Sequence, residues 1–327
     1  MKNRENPTQG AREIMTKKAH GAEEMLGHRP ISRRVFLKLS GTGIIGASLL
    51  GIAGCAGGAS SSSNKMLRLG NIGWDENVAV SNLTKVLLEE ELGYEKVELR
   101  TLDVAPLFAG VARGDLDAFQ DVWLPKTHKT YWEEYKDQVV NLGRWYKGEA
   151  NLGLAVPDYV EAQSIADLNK YRSEFGGEII GIEAGSGIMR ITEQEVIPGY
   201  KLNFELVPSS TPAMLAALKK AVESKDPIVV TAWKPHWMFT AYPLRYLKDP
   251  KNLFGGSETP VAIARQGLRE DLPDAFAFLD ALTLDERQLG SLELEIQKAG
   301  EPVKGAKNWL KGNRDVVNPW VEAAQKA

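Results

Sequence analysis

The chain predicts an α/β fold built as two lobes around a central cleft. Three observations carry that expectation. Strand-like and helix-like runs alternate along most of the chain after residue 66, the pattern of α/β architecture with parallel strands. The segment Thr101–Trp123 runs strand, proline-containing helix start, Leu/Ala helix, acidic turn, strand, tryptophan, and Val207–Trp233 repeats that order. Two apolar stretches, near Gly153–Pro157 and near Glu258–Arg265, are placed to carry the chain from one lobe to the other and back. Two such crossings make a hinge, and hinges close around ligands. The expected limits are lobe I at 66–154 and 258–327, and lobe II at 155–257.

The elements follow in order. Leu67–Ile72 is an apolar strand, and Val78–Leu92 carries Val78, Leu83, Val86 and Leu87 at helical spacing before Gly93, a helix stop. Val97–Leu102 is a strand, Ala105–Arg113 a helix closed by Gly114, and Leu116–Val122 a strand. The second series is strand Leu152–Val156, helix Ile165–Phe175, strand Glu178–Ile182, helix Ile188–Ile197, strand Asn203–Val207, helix Pro212–Ser224 and strand Ile228–Ala232. Val261–Ala264 reads as a strand, and helices are expected at Pro273–Leu282, Leu284–Lys298 and Val303–Lys311.

Composition bounds the function. The 327 residues are 43% hydrophobic and 25% charged, a globular composition, and the slightly negative mean hydropathy argues against a polytopic membrane protein. Residues 1–54 stand apart. They hold a net charge of +5 against −3 for the whole chain, which leaves −8 from Cys55 onward. An acidic domain argues against nucleic acid as a partner. Within the leader, Ser32-Arg33-Arg34-Val35-Phe36-Leu37-Lys38 resembles a twin-arginine export signal and precedes a short Gly-rich apolar run. That run ends in Leu50-Gly51-Ile52-Ala53-Gly54-Cys55, which resembles a bacterial lipobox. Cys55 is the only cysteine, so the domain needs no disulfide. The expectation is a signal peptide at 1–54, a lipidated Cys55, a flexible Gly/Ala/Ser tether at 55–65, and a domain held at the outer face of the cytoplasmic membrane.

Three of the eight tryptophans, Trp74, Trp123 and Trp233, stand where a strand-like run ends in a loop. Ligands of open α/β sheets bind at the carboxyl ends of strands. Three indoles in one crevice make an aromatic box, which suits a quaternary ammonium ion because the rings present negative faces. Such a cation has no N–H to donate, and an acid set against it would have to give up its own hydration. Each desolvated cation–π contact contributes roughly 0.5–2 kcal/mol. Glu183-Ala-Gly185-Ser186-Gly187-Ile188 follows a strand and opens a helix, where free N–H groups attract anions. Of the two histidines after the leader, His128 follows Trp123 by five residues and could donate to a carboxylate, while His236 reads as structural. No metal site is expected, because there is no HExxH and no cysteine pair. No cofactor is expected either: the glycines are too few for a dinucleotide fingerprint and lack the P-loop ending.

From Leu67 to Lys326 the chain resembles the substrate-binding proteins of glycine betaine/proline betaine ABC importers, the OpuAC/ProX-like family. The stretches that carry the resemblance are Leu102-Asp-Val-Ala-Pro-Leu-Phe-Ala-Gly110, Asp121-Val-Trp-Leu-Pro-Lys-Thr-His128, Gly185-Ser-Gly-Ile-Met189, Met214-Leu-Ala-Ala-Leu-Lys219 and Trp233-Lys-Pro-His-Trp-Met-Phe239. The resemblance implies a periplasmic-binding-protein-like (type II) fold with no enzymatic activity and an ABC permease and ATPase as partners. It also implies a tryptophan prism around a trimethylammonium head, here Trp74, Trp123 and Trp233, with the ligand carboxylate on the amides of Gly187 and Ile188 and on His128. The alternatives are a choline or carnitine receptor of the same transporter class, an exported enzyme without a recognisable catalytic motif, and a sensory module for a membrane kinase.

Overall fold

The computed structural model describes residues 65–327. The expectations for the leader, Cys55 and the tether up to residue 64 lie outside the described residues. The first pass of the chain runs β1 (Met66–Asn71), α1 (Asp75–Glu91), β2 (Lys96–Thr101), α2 (Val104–Arg113), β3 (Ala118–Leu124), α3 (Lys129–Tyr135) and β4 (Val139–Arg144). The second runs β5 (Asn151–Pro157), a 3-10 turn (Ile165–Tyr171), β6 (Glu178–Ile180), α4 (Gly187–Ile191), a π turn (Thr192–Val196), α5 (Ile197–Tyr200), β7 (Glu205–Val207), α6 (Thr211–Ser224), β8 (Val230–Lys234), α7 (Met238–Ala241) and β9 (Leu244–Tyr246). The return adds β10 (Thr259–Arg265), α8 (Leu268–Asp271), α9 (Pro273–Ala281), α10 (Glu286–Ala299), α11 (Pro302–Leu310) and α12 (Arg314–Gln325).

Two five-stranded sheets result, in the orders β2-β1-β3-β10-β4 and β7-β6-β8-β5-β9. They share one plan. In each, the first strand of a βαβ series lies between the other two and parallel to both. A crossing strand then joins antiparallel, β10 beside β3 and β5 beside β8. A further antiparallel strand, β4 or β9, closes the edge. The internal echo between Thr101–Trp123 and Val207–Trp233 is therefore a repeat of topology. The sheets are mixed rather than parallel throughout, because the crossing strands arrive from the opposite lobe.

The first crossing comes earlier than expected. Asn151–Leu154 pair with β8 in the second sheet, so the chain leaves the first sheet between Arg144 and Asn151 and not at 154/155. The two crossings meet at an antiparallel bridge between Ala150 and Glu258. The return of β10 is pinned by Asp117, which accepts from both Arg68 of β1 and Arg265 of β10. Burial works to raise the Asp117 pKa, and the two guanidiniums outweigh it and hold the carboxyl below its ordinary value.

Several elements differ from the sequence reading for local reasons. The expected helix Ile165–Phe175 is a 3-10 turn that ends before Gly176 and Gly177, both at positive φ. The expected helix Ile188–Ile197 holds a π turn just ahead of Pro198, which has no N–H to continue the α ladder. The expected helix Leu284–Lys298 begins two residues later, where Asp285 and Gln288 form a reciprocal capping box. Helix α12 was not expected, since Pro319 lies inside it. Val317, Trp320, Val321 and Ala324 nevertheless bury one stripe of that helix, and Trp320 meets Phe278 of α9 edge to face at 6.2 Å. Trp145 and Trp309 are likewise buried in packing, and Trp132 is half-buried against the core.

Candidate ligand-binding site

The strand-end tryptophans occupy equivalent places in the two lobes. Trp123 is next to last in β3 and Trp233 next to last in β8, and each strand is followed by an X-Pro turn with a cis bond. Trp74 is the N-cap of α1, directly after the left-handed Gly73 at φ +87°. All three indoles wall one small cavity of about 20 Å³ between the lobes, and all three are buried. Trp74 and Trp233 stand 6.4 Å apart between centroids and are tilted by 51°. The wall is completed from lobe I by Thr127 and Glu76, and from the second lobe by Leu152, Ile182, Ser186 and Ile188.

The other expected residues stand around this wall. Ile188 is part of it, and Gly187 lies between the wall residues Ser186 and Ile188. A Cβ on Gly187 would lie 2.6 Å from the Thr127 carbonyl oxygen, so glycine is required there for the second lobe to press against the first. The N–H groups of Gly187 and Ile188 belong to the first turn of α4, where no intrahelical acceptor exists. The buried Ser186 hydroxyl has no partner. His128 lies one layer back, its ring 5.8 Å from Trp74 and nearly parallel to it at 12°. Its Nδ1 accepts the Trp123 backbone N–H at 2.9 Å, which fixes the proton on Nε2, a buried donor without a partner. Burial, with a smaller contribution from the Arg190 charge, lowers the His128 pKa to about 3, so the ring is neutral.

Sequence reasoning missed the acids behind the indoles. Trp233 Nε1 donates across the cleft to Glu76 Oε2 at 2.9 Å. Trp123 Nε1 donates to Asp121 Oδ1, also at 2.9 Å. Both carboxyl groups are buried, and Glu76 Oε1 and Asp121 Oδ2 have no donor. Burial raises both, Glu76 further by the Asp121 charge and Asp121 to about 7. The adjacent Asp75 accepts from Trp237 Nε1 at 2.7 Å and from Gln297. His236 Nε2 lies 3.2 Å from Asp75 Oδ2 but is misaligned for a hydrogen bond. The first turn of α1 thus takes two indole N–H groups from the opposite lobe. A signal was available in Trp74-Asp75-Glu76-Asn77, since acids at a helix start favour its dipole, and that favourable setting hides any second role.

Residues 65–312 match the family model described as the substrate binding domain of ABC-type glycine betaine transport system. The chain belongs to this family. Its members are transport binding proteins and not enzymes, and the fold is the two-lobed type II binding-protein fold. A curated relative is the glycine betaine/carnitine transport binding protein GbuC of Listeria monocytogenes, 44% identical over 151 residues, 45% of this chain and 50% of that protein. The chain thus spans about half the length of that curated relative. Among solved structures, lactococcal OpuAC in its closed-liganded conformation complexed with glycine betaine is 37% identical, with a TM-score of 0.73 over 79% of this chain and 99% of that one. An ABC-transporter choline binding protein in complex with choline is 26% identical, with a TM-score of 0.72 over 81% and 98%. Among the described residues, no helix is long and apolar enough to cross a membrane, and no group of three His, Cys, Asp or Glu is placed to hold a metal.

Proposed function

We propose that this protein captures glycine betaine, or proline betaine, for an ABC importer that takes up osmoprotectants. The observation that carries the reading is the convergence of Trp74, Trp123 and Trp233 on one cavity between two lobes. The trimethylammonium head sits among the three indoles, held by cation–π attraction in a site that excludes water. The carboxylate is received by the amides of Gly187 and Ile188 and by the neutral His128 through Nε2–H. Because Trp74, Trp123 and His128 belong to one lobe and Trp233, Gly187 and Ile188 to the other, the ligand bridges the cleft and favours the closed state. That closed state is what the permease and its ATPase would recognise. The twin-arginine-like leader and the lipobox support export followed by lipid anchoring through Cys55 at the outer face of the cytoplasmic membrane.

Choline is the second reading, favoured by the acid Glu76 in the cavity wall. Tryptophan fluorescence titrated with glycine betaine, proline betaine, carnitine and choline separates the two. Saturable change with glycine betaine that is weakened in His128→Ala supports the carboxylate site. Preference for choline keeps the cage and overturns that site, and no response to any of the four overturns the reading.

A further inference from the structure

Most side-chain donors in the cavity wall are already engaged. The indole N–H groups of Trp123 and Trp233 go to Asp121 and Glu76. The Thr127 hydroxyl goes to Glu258, which also accepts the Thr127 backbone N–H at 3.0 Å. Two wall donors have no partner among the described residues, Trp74 Nε1 and the Ser186 hydroxyl. They differ in place. Trp74 caps α1 in the first lobe, whereas Ser186 directly precedes Gly187 and Ile188, whose N–H groups open α4 in the other.

Ser186 is the N-cap of α4, and a serine there ordinarily accepts a backbone N–H two or three residues on. Two other serines of this chain do so. Ser164 accepts from Ala166 N at 3.2 Å, and Ser210 from Ala213 N at 3.3 Å. Ser186 makes no such bond, although its backbone is extended like theirs. It is only 2% exposed, and a buried hydroxyl without a partner costs about 1–3 kcal/mol. The backbone around it is held. Its N–H donates to the Glu183 carbonyl at 2.9 Å, and its carbonyl accepts from Arg190 N at 3.2 Å. The Glu183 carboxylate in turn takes the N–H and the hydroxyl of Thr211, at the start of α6. Every backbone group of Ser186 is therefore engaged, and the hydroxyl is left over in the wall of the site.

Resting on the betaine reading above, we propose that the Ser186 hydroxyl donates to the ligand carboxylate and is a specificity-determining residue for carboxylated quaternary amines. An ionised carboxylate has about four acceptor positions. The Ser186 hydroxyl, the N–H groups of Gly187 and Ile188, and His128 Nε2–H make four donors. Three come from consecutive residues of one turn and the fourth from the opposite lobe. Choline ends in an uncharged hydroxyl and satisfies fewer of them. A site that leaves buried polar groups unpaired discriminates against such a ligand.

The test is isothermal titration calorimetry of glycine betaine and of choline with the wild type, Ser186→Ala and Ser186→Gly, beside thermal unfolding of each ligand-free protein. Both substitutions remove the hydroxyl, but glycine keeps most of the N-cap preference that alanine loses. A donor role predicts that both variants bind glycine betaine about tenfold more weakly, the loss of a hydrogen bond to a charged group. Choline affinity stays within about twofold, so the preference for glycine betaine shrinks about tenfold. If Ser186→Ala fails to fold, Ser186→Gly carries the test alone. A loss confined to Ser186→Ala, equal for both ligands and accompanied by a lowered Tm that Ser186→Gly restores, would make Ser186 a helix cap and overturn the proposal. Unchanged glycine betaine affinity in the folded variants would overturn it as well. A wild type that prefers choline or binds neither ligand would overturn the betaine reading itself, before any variant is compared.

Discussion

The turns after β3 and β8 are two solutions of one local problem. Both follow a buried tryptophan, both continue into an X-Pro step, and both carry a histidine shortly after it. The histidines have opposite fates. His128 spends Nδ1 on the backbone N–H of Trp123 and keeps a buried, unpartnered Nε2 next to Trp74. His236 spends Nδ1 on the backbone of Met238 and presents Nε2 to Asp75 of the other lobe. The same residue type after the same strand end thus becomes a donor in waiting in one lobe and an interlobe contact in the other. What differs is the neighbour. Burial works to raise the Asp75 pKa, and the contacts with His236, Trp237 and Gln297 outweigh it and keep the carboxyl ionised. His128 Nε2 has no hydrogen-bond partner among the described residues, which leaves that donor open to a ligand. A repeated topology supplied two equivalent positions, and their surroundings made them unequal.

That comparison can be broken most directly at Trp123. Trp123→Ala should weaken glycine betaine binding by about thirtyfold or more, the loss of one desolvated cation–π contact, read by calorimetry. Gly187→Ala comes next. Its methyl group would meet the Thr127 carbonyl, so about tenfold weaker binding is expected, with a ligand-bound form that stays more open by small-angle scattering. His128→Ala should cost about tenfold for glycine betaine, the loss of one hydrogen bond to a charged group, and leave choline within about twofold. His236→Ala should differ from it in kind, with a loss of about threefold that is equal for both ligands. An equal loss for both ligands in His128→Ala would erase the distinction between the two turns.

The smallest effect concerns the His128 proton. Its folded pKa lies below the unfolded value, so the unfolded chain takes up a proton first as pH falls. His128 therefore leaves stability unaffected at neutral pH and reduces it progressively as pH drops below about 6.5. Nitrogen-detected NMR should show a neutral ring with the proton on Nε2 down to about pH 4. A ring that titrates near pH 6 would mean that water reaches it.

Much of this molecule can be read from short windows of sequence. Apolar runs ending in Trp74, Trp123 and Trp233, the glycine stops at Gly93 and Gly114, and the Gly-Ser-Gly turn before α4 are each set by ten or so neighbouring residues. Strand period, cap chemistry and left-handed glycines act at that range. Three kinds of feature could not be read this way. The mixed sheets depend on crossing strands that arrive from the other lobe, whatever their own residues prefer. Helix α12 persists despite Pro319 because its apolar stripe has α9 to pack on. The role of Glu76 depends on a contact that only folding creates: it takes an indole N–H from a strand more than 150 residues away. Contacts of this kind act through space, so an acid that looks like an ordinary helix start joins the wall of the cage only once the two lobes meet.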